Sequence, residues 1–213
     1  MTPEEQSRRA ADICAKAPVV PVLVIEDAAK AADLARALIA GGLPALEVTL
    51  RTPAALDAIR AMAGVPGGIV GAGTLLTPED VKAAKAAGAT FGVSPGATDR
   101  LVQASIDEDL PLLPGAATAT EVMALLEKGY TIQKFFPAEA SGGAKALSAI
   151  GAPIPQVRFC PTGGVSPKNV GDYLSLSNVI CVGGSWVAPK DMVATGDWAG
   201  IEALAREAAA LAR

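Results

Sequence analysis

The amino-acid sequence predicts an α/β protein of the (β/α)8, or TIM-barrel, class with an additional N-terminal helix. Short runs of apolar and β-branched residues alternate with alanine-rich stretches of helical spacing along the 213 residues. A strand followed by a helix, repeated eight times, is the pattern of a closed parallel barrel. No linker or low-complexity segment interrupts the alternation, so we expect residues 1–213 to form a single domain.

The expected additional helix covers residues 1–17. Thr2 is a candidate N-cap, Pro3 occupies the first helical position, and Glu5 completes a capping box with Thr2. The strand candidates that follow are VVPVLVI from Val19, ALEVTL from Ala45, IVGAG from Ile69, FGVS from Phe91, PLLPG from Pro111, IQKFF from Ile132, VRFCP from Val157 and VICVGG from Val179.

The stretches between the strand candidates have helical spacing, as in AAKAADLARALIAGG at residues 28–42. In TPEDVKAAKAAGA, Thr77 and Pro78 begin a helix and Gly88 ends it. An open doubly wound sheet is the alternative architecture. Its dinucleotide fingerprint is incomplete here, because GAGTLL at residues 71–76 lacks the third glycine.

Composition narrows the classes of partner. Hydrophobic residues make up 51% of the chain and charged residues 19%, and the net charge is −4. An acidic chain is a poor general partner for nucleic acid or an anionic membrane. No apolar run approaches the roughly 18 residues that span a bilayer, and the first residues lack the apolar core of a secretion signal. We therefore expect a cytoplasmic protein.

Histidine is absent from the sequence, and cysteine is rare. The usual Ser-His-Asp and Cys-His nucleophilic systems and His-based zinc sites are thus excluded, so proton transfers must use carboxylates, Lys, Tyr, Cys or water. Cys14, Cys160 and Cys181 are too few and too scattered for a disulfide framework or a zinc site. We expect them to be buried thiols in a reducing compartment.

A lysine lies inside the apolar strand candidate IQKFF, where Lys134 shares its parity with Ile132 and Phe136. In ALEVTLR the outward parity holds Leu46, Val48 and Leu50, and the other parity holds Ala45, Glu47, Thr49 and Arg51. Alternate side chains of barrel strands point inward, and chemistry lies where strands end in βα loops. The pattern therefore predicts Glu47, Arg51 and Lys134 in one barrel interior.

Two interpretations of this lysine remain open. A buried Lys134–Glu47 ion pair would be purely structural, although desolvation makes such pairs weak contributors to stability. Alternatively, Lys134 is a nucleophile that forms a Schiff base, with Glu47 as the acid and base. An ordinary lysine is protonated at neutral pH, and burial or a neighbouring cation such as Arg51 favours the neutral amine that attacks a carbonyl.

Two glycine turns follow the seventh and eighth strand candidates, in CPTGGVSPKNV (160–170) and CVGGSWVAP (181–189). Barrels often bind phosphate on backbone N–H groups of the loops after these two strands. Glycine lets the backbone approach the anion, and Thr162 and Ser185 add hydroxyl donors. Either turn alone is typical of ordinary tight turns, but together they indicate a local anion site.

The sequence resembles the bacterial 2-keto-3-deoxy-6-phosphogluconate (KDPG) aldolases, also named 4-hydroxy-2-oxoglutarate aldolases. The matching motifs run in order over nearly the whole chain, and they are EVTLRT (47–52), GAGT (71–74), SPG (94–96), KFFPAE (134–139), RFCPTGG (158–164) and GGSW (183–186). The resemblance implies a class I lyase of the Entner–Doudoroff pathway. Such an enzyme cleaves KDPG reversibly to pyruvate and glyceraldehyde 3-phosphate, needs no cofactor or metal, and forms a homotrimer.

Matched position by position, the resemblance makes Lys134 the Schiff-base lysine and Glu47 the acid/base. It further implies carboxylate contacts from Arg51 and Thr74, and a pyruvate pocket lined by Pro95 and Phe136. The implied phosphate-binding residues are Thr162, Gly163, Gly164, Gly184 and Ser185.

Several alternatives to KDPG cleavage stay open. Activity on 4-hydroxy-2-oxoglutarate is compatible with the motifs, and the closely similar 2-dehydro-3-deoxy-6-phosphogalactonate aldolase differs only in C4 stereochemistry. A phosphate-binding barrel without Schiff-base chemistry, such as an isomerase or a sugar-phosphate sensor, is the alternative from another class.

Overall fold

The structure, a computed structural model, describes residues 1–212 as a curled parallel sheet surrounded by helices, a TIM-barrel-like fold. The strands are β1 Val19–Leu23, β2 Ala45–Thr49, β3 Ile69–Gly73, β4 Phe91–Val93, β5 Leu112–Leu113, β6 Gly115–Ala116, β7 Ile132–Phe135, β8 Arg158–Pro161 and β9 Val182–Gly184. The helices are α1 Pro3–Cys14, α2 Ala31–Ala40, α3 Ala55–Ala63, α4 Pro78–Ala86, α5 Asp99–Asp107, α6 Ala119–Glu127, α7 Gly143–Gly151, α8 Val170–Leu174, α9 Lys190–Thr195 and α10 Trp198–Ala209.

Helix boundaries follow the capping residues that the sequence carries. Thr2 and Glu5 form the expected capping box at the start of α1, and Thr77 accepts from the Asp80 N–H at the start of α4. Gly88 follows α4 with a φ of 100°, a left-handed conformation that glycine adopts without steric cost. These predicted helix ends are confirmed.

The fifth strand of the barrel is divided, which the sequence pattern did not predict. Pro114 separates β5, which pairs with β4, from β6, which pairs with β7. Proline has no N–H for the ladder, so a continuous strand is interrupted at this position. The sheet order is therefore β5-β4-β3-β2-β1-β9 in one part and β6-β7-β8 in the other.

The barrel closes between β8 and β9 by isolated bridges. Phe159 bridges Val179, and Thr162 bridges Gly183. The eighth strand was expected from Val179, but the regular ladder with β1 begins only at Val182, where its N–H donates to Pro18 at 2.9 Å. Residues 179–181 meet β8 alone, so they lack the two-sided pairing of a regular strand.

The core has an outer and an inner layer. The outer layer packs the strands on the surrounding helices, with Leu46 and Val48 of β2 fully buried there. The inner layer fills the barrel at its amino end, where α1 adds Ala10, Ala11 and Cys14 to strand side chains such as Phe91 and Ile132. Each large side chain that is fully buried contributes about 1.5–3 kcal/mol.

Helix α1 is fixed across the amino end of the barrel by buried polar groups. The Ser7 hydroxyl accepts from the N–H groups of Thr131 and Ile132 at 2.8 and 3.2 Å, where β7 begins. The Gln6 side-chain oxygen accepts from the Tyr130 hydroxyl at 2.6 Å. In the described part of the chain, no helix has the length and hydropathy required to span a bilayer.

Candidate active site

Lys134 and Glu47 meet inside the barrel, as strand alternation predicts. Lys134 lies on β7 and Glu47 on β2, their Nζ and Oε1 atoms are 3.4 Å apart, and the residues are only 4% and 3% exposed. Gln133, the residue before the lysine, points to the helices, where its Nε2 donates to the Val122 and Tyr130 carbonyls. The strand thus directs one charged side chain alone into the interior.

Glycines make room for this pair. A Cβ on Gly73 of β3 would lie 2.2 Å from Oε1 of Glu47, so no larger residue fits beside the carboxylate. A Cβ on Gly183 of β9 would lie 2.3 Å from the Thr162 hydroxyl. On the other side, the Phe136 ring centroid lies 5.0 Å from Nζ of Lys134 and forms an apolar wall with cation–π geometry.

Burial sets the electrostatics of the pair. Removal from water raises the pKa of Glu47 above its usual 4.5, and the positive charge of Lys134 only partly offsets this effect. A carboxylate with a raised pKa accepts a proton more readily than an exposed one. The arrangement therefore places a proton acceptor 3.4 Å from the lysine nitrogen.

The three cysteines, scattered in sequence, come together beneath this pair. Cys14 of α1, Cys160 of β8 and Cys181 are all buried in the inner layer as free thiols. Hydrogen bonds to the other two thiols, together with burial, raise the pKa of Cys181 well above its usual value. The expectation of buried thiols is confirmed, but sequence spacing gave no sign of the cluster. Within residues 1–212, no group of three or more Cys, Asp and Glu side chains is placed to hold a metal ion.

A cavity of about 230 Å³ opens at the carboxyl end of the barrel, above the buried pair. Of the predicted site residues, it is lined by Arg51, Phe136, Thr162, Gly163, Gly164 and Ser185. A larger cavity of about 650 Å³ lies outside the barrel between α7 and α8. The smaller one is the candidate site, because Phe136 in its lining lies against Lys134, which pairs with the buried carboxylate of Glu47.

The expectation that Arg51 enters the barrel interior is wrong. Arg51 lies two residues beyond the end of β2, where the alternation of the strand no longer holds, and its side chain is exposed. Its Nε donates to the Thr74 hydroxyl at 3.2 Å. Thr74 has a φ of 62°, a strained conformation for a β-branched residue. Arg51 and Thr74 together form a polar rim of the cavity.

The turn at residues 162–165, which we name the anion turn, presents free backbone N–H groups at the cavity. Gly163 and Gly164 have φ values of 98° and 82°, and both line the cavity. Within residues 1–212, neither of their N–H groups donates to another group. Consecutive unpaired N–H groups of this kind form a concave surface that suits an anion.

Three of the predicted substrate- and phosphate-binding residues lie outside the cavity lining: Thr74, which contacts Arg51 at the rim, Gly184 and Pro95. Gly184 packs on Trp186, because a Cβ on it would be 2.0 Å from the indole ring. Pro95 follows β4, and its carbonyl lies under Gly115. Sequence reasoning missed the apolar part of the lining, Val22, Val24, Val165 and Gly183. The shared parity of Val22 and Val24 with the inward-facing Val20 was the signal available for two of these.

A closed parallel barrel with a buried amine and carboxylate below an open cavity is the architecture of a barrel aldolase. Comparison with known proteins agrees. The family model of KDPG and KHG aldolases, where KHG is 4-hydroxy-2-oxoglutarate, matches residues 10–204. The chain belongs to this family. A curated relative, the 2-dehydro-3-deoxy-phosphogluconate aldolase of Pseudoalteromonas atlantica, is 54% identical over 200 residues, which cover 93% of each chain.

Solved structures give the same result. The KDPG aldolase of Zymomonas mobilis with 3-phosphoglycerate has a TM-score of 0.92 and 49% identity, over 97% of this chain and 98% of that one. The KDPG aldolase of Legionella pneumophila, with pyruvate captured as a covalent carbinolamine intermediate, has a TM-score of 0.91 and 45% identity, over 94% and 98% of the chains.

Proposed function

We propose that this protein is a class I aldolase that cleaves KDPG reversibly to pyruvate and glyceraldehyde 3-phosphate through a Schiff base on Lys134. The observation that carries the proposal is the 3.4 Å approach of Nζ of Lys134 to Oε1 of Glu47 in the closed interior of a barrel. A purely structural ion pair would not need a cavity with unpaired backbone N–H groups directly above it.

The first step requires a neutral amine. Lys134 gives a proton to Glu47, whose raised pKa favours this transfer. The free amine then attacks the C2 carbonyl of the substrate to form a carbinolamine. Glu47 returns that proton to the carbinolamine hydroxyl, which leaves as water. Glu47 is then a carboxylate again, and the iminium ion that has formed acts as an electron sink.

Glu47 serves as the acid and base in the carbon–carbon cleavage. As a carboxylate, directly or through a water, it takes the proton of the C4 hydroxyl, the C3–C4 bond breaks, and its electron pair moves into the iminium. Glyceraldehyde 3-phosphate leaves with C4 as its aldehyde carbon. The enamine that remains takes at C3 the proton that Glu47 received from the C4 hydroxyl, and Glu47 is a carboxylate again. Hydrolysis of the new iminium releases pyruvate and restores Lys134.

The substrate lies with its two anionic ends at opposite sides of the cavity. Arg51 and Thr74 bind the carboxylate end, which the hydrogen bond between them supports. Phe136 and Pro95 enclose the pyruvate portion. The phosphate binds at the anion turn, together with the hydroxyl of Ser185 and the backbone of Gly184.

The same cavity accepts 4-hydroxy-2-oxoglutarate, whose second carboxylate is bonded directly to C4 and does not extend as far as the phosphate on C6 of KDPG. The family includes aldolases of both kinds, which supports this second substrate. The galactonate analogue of KDPG differs only at C4. The ratio of kcat/KM for the two sugar acids decides which stereochemistry the enzyme prefers.

We further propose a cytoplasmic homotrimer in which residues 1–213 form one domain and no metal or cofactor takes part. All three cysteines are unpaired, which is typical of a reducing compartment. The oligomeric state is measured by light scattering of the purified protein.

Reductive trapping tests the Schiff base directly. The protein is treated with borohydride in the presence of pyruvate, digested, and analysed by mass spectrometry. The expected modified residue is Lys134 alone. Lys134→Ala should lose the label, whereas Lys128→Ala, which removes an exposed lysine paired with Asp99, should keep it.

The trapping result also separates the proposal from the other class of function. An isomerase or sugar-phosphate sensor would bind phosphosugars without forming a covalent adduct. A label at another lysine, or no label, would contradict the proposed mechanism.

A further inference from the structure

The anion turn is held in place by residues that do not line the cavity. Backbone groups of the neighbouring segment fix two of its carbonyls: the Ala138 N–H donates to the Thr162 carbonyl at 2.8 Å, and the Glu139 N–H donates to the Gly163 carbonyl at 3.0 Å. Asn169 Nδ2 donates to the Gly164 carbonyl at 3.1 Å. These three hydrogen bonds fix the carbonyls of the turn. The N–H groups of Gly163 and Gly164, which have no partner within residues 1–212, stay free for a ligand.

The side chain of Glu139 supports the turn from below. A Cβ on Gly164 would lie 2.6 Å from Cγ and 2.7 Å from Cβ of Glu139, so the glycine backbone rests directly on the alkyl stem of the glutamate. The stem thereby limits the positions that the turn can occupy. A larger residue at Gly164 would force the turn away from the stem.

Glu139 is itself fixed by a buried phenol. The Tyr173 hydroxyl of α8 donates to Oε1 of Glu139, and the tyrosine ring is fully buried. Burial and the neighbouring carboxylate raise the pKa of Tyr173, so its hydroxyl remains a donor at any physiological pH. The phenol therefore holds the carboxylate of an otherwise exposed side chain in one position.

We propose that Glu139 and Tyr173 are positioning residues that determine the preference of this enzyme for phosphorylated substrates. We name the two residues the brace. By fixing the Glu139 stem under Gly164, the brace keeps the two glycine N–H groups aimed at the phosphate of the bound substrate. This inference rests on the proposed function, because it assigns the anion turn to substrate phosphate.

The brace acts on one end of the substrate only. It contacts neither the buried pair nor the Arg51 rim, so its loss should weaken phosphate binding and leave Schiff-base chemistry intact. A substrate without a phosphate, such as 4-hydroxy-2-oxoglutarate, should be insensitive to the brace.

Steady-state kinetics of three variants test the inference. Tyr173→Phe removes one hydroxyl, Glu139→Ala removes both stem and acceptor, and Glu139→Gln keeps both. We expect KM for KDPG to rise roughly three- to tenfold in Tyr173→Phe, about 0.7–1.4 kcal/mol of binding, with kcat nearly unchanged. The rise should be largest for Glu139→Ala and smallest for Glu139→Gln, and KM for 4-hydroxy-2-oxoglutarate should not change in any of them.

Inorganic phosphate gives a second, independent measurement. Its inhibition constant against KDPG should rise in the same order of variants. The double variant Tyr173→Phe/Glu139→Gln should be no worse than the more damaging single change, because both residues act through one contact. Asp172→Asn, an exposed change next to Tyr173, is the matched control and should behave as the wild type.

The outcomes distinguish the brace from the function on which it rests. An unchanged KM for KDPG in Glu139→Ala, or an equal rise for both substrates, would overturn the brace while the aldolase activity stands. A wild-type protein that does not cleave KDPG would overturn the proposed function and the brace with it. If Tyr173→Phe does not fold, the two Glu139 variants decide the matter, because that side chain lies at the surface.

Discussion

The two ends of the barrel interior differ in composition and in access. At the carboxyl end the interior holds Glu47, Lys134 and Thr162, and a cavity opens above them. At the amino end it is apolar and closed by α1, with a lining that includes Ala10, Ala11, Val20, Ala45, Phe91 and Ile132. Strands β2 and β7 contribute to both ends, with Ala45 and Ile132 at the apolar end and Glu47 and Lys134 at the other.

The contrast shows that closure of the amino end allows the charged pair to be buried beneath the open carboxyl end. Two ionisable groups are costly to bury unless they are paired and water reaches them in a controlled way. Helix α1 is fixed across the amino end by Ser7 and Gln6 and covers it, whereas the cavity opens at the carboxyl end. Disruption of either end should therefore have distinct consequences.

The largest expected effect is at the carboxyl end. Lys134→Ala removes the amine that forms the covalent intermediate, so kcat for KDPG should fall by more than about 10⁴-fold, beyond what acid–base catalysis alone supplies. The measurement is a coupled assay of pyruvate release. Lys128→Ala is the matched control, and near-normal turnover by Lys134→Ala would refute the assignment.

Loss of the carboxylate should cost less. Glu47→Gln keeps the shape of the side chain and removes its proton transfer, which predicts a fall in kcat of about 10²–10⁴-fold. Slow trapping of pyruvate on Lys134 should remain detectable. A variant within a few-fold of wild-type turnover would show that another group moves the proton.

The pH dependence sharpens the role of Glu47. Its carboxylate is the base, and protonation as the pH falls removes that base. Because burial raises its pKa, the acid limb of kcat/KM should have its midpoint above 4.5, the ordinary value of a glutamate. The profile is measured in buffers of constant ionic strength. In Glu47→Gln this limb should disappear, and its persistence would assign the limb to a different group.

The smallest effect is expected at the amino end. Burial raises the pKa of Tyr130 to about 12, so its hydroxyl donates to Gln6 at all working pH values. Tyr130→Phe removes the shorter of two hydrogen bonds to the Gln6 oxygen, which still accepts from the Ser105 hydroxyl at 3.2 Å. The variant should lower the free energy of unfolding by about 1 kcal/mol, measured by urea denaturation. The kcat/KM at 25 °C should stay at the wild-type value. A large loss of activity in the folded variant would contradict the separation of the two ends.

Local patterns in the sequence predicted much of the fold and the centre of the site. Alternation placed Lys134 and Glu47 on the inward faces of their strands, and capping residues such as Thr77 located helix starts. These features depend on neighbours within a few residues of each other. They can therefore be predicted from the sequence alone.

The features that were missed depend on contacts between distant segments. The cysteine cluster joins residues 14, 160 and 181, and no spacing rule connects them. The position of Arg51 at the cavity rim depends on its hydrogen bond to Thr74, and the contact of Tyr173 with Glu139 depends on how α8 packs. Only the assembled barrel brings such groups together.

The interruption at Pro114 has a consequence for the reacting groups themselves. Glu47 belongs to the six-stranded part of the barrel and Lys134 to the three-stranded part. Within residues 1–212, no ladder of hydrogen bonds runs unbroken from one to the other. Their spacing is therefore set by the proline step on one side and, on the other, by the isolated bridges of Phe159 to Val179 and of Thr162 to Gly183. The nucleophile and its proton acceptor therefore lie on different parts of the sheet. A change at either junction can alter their alignment while each part keeps its own structure.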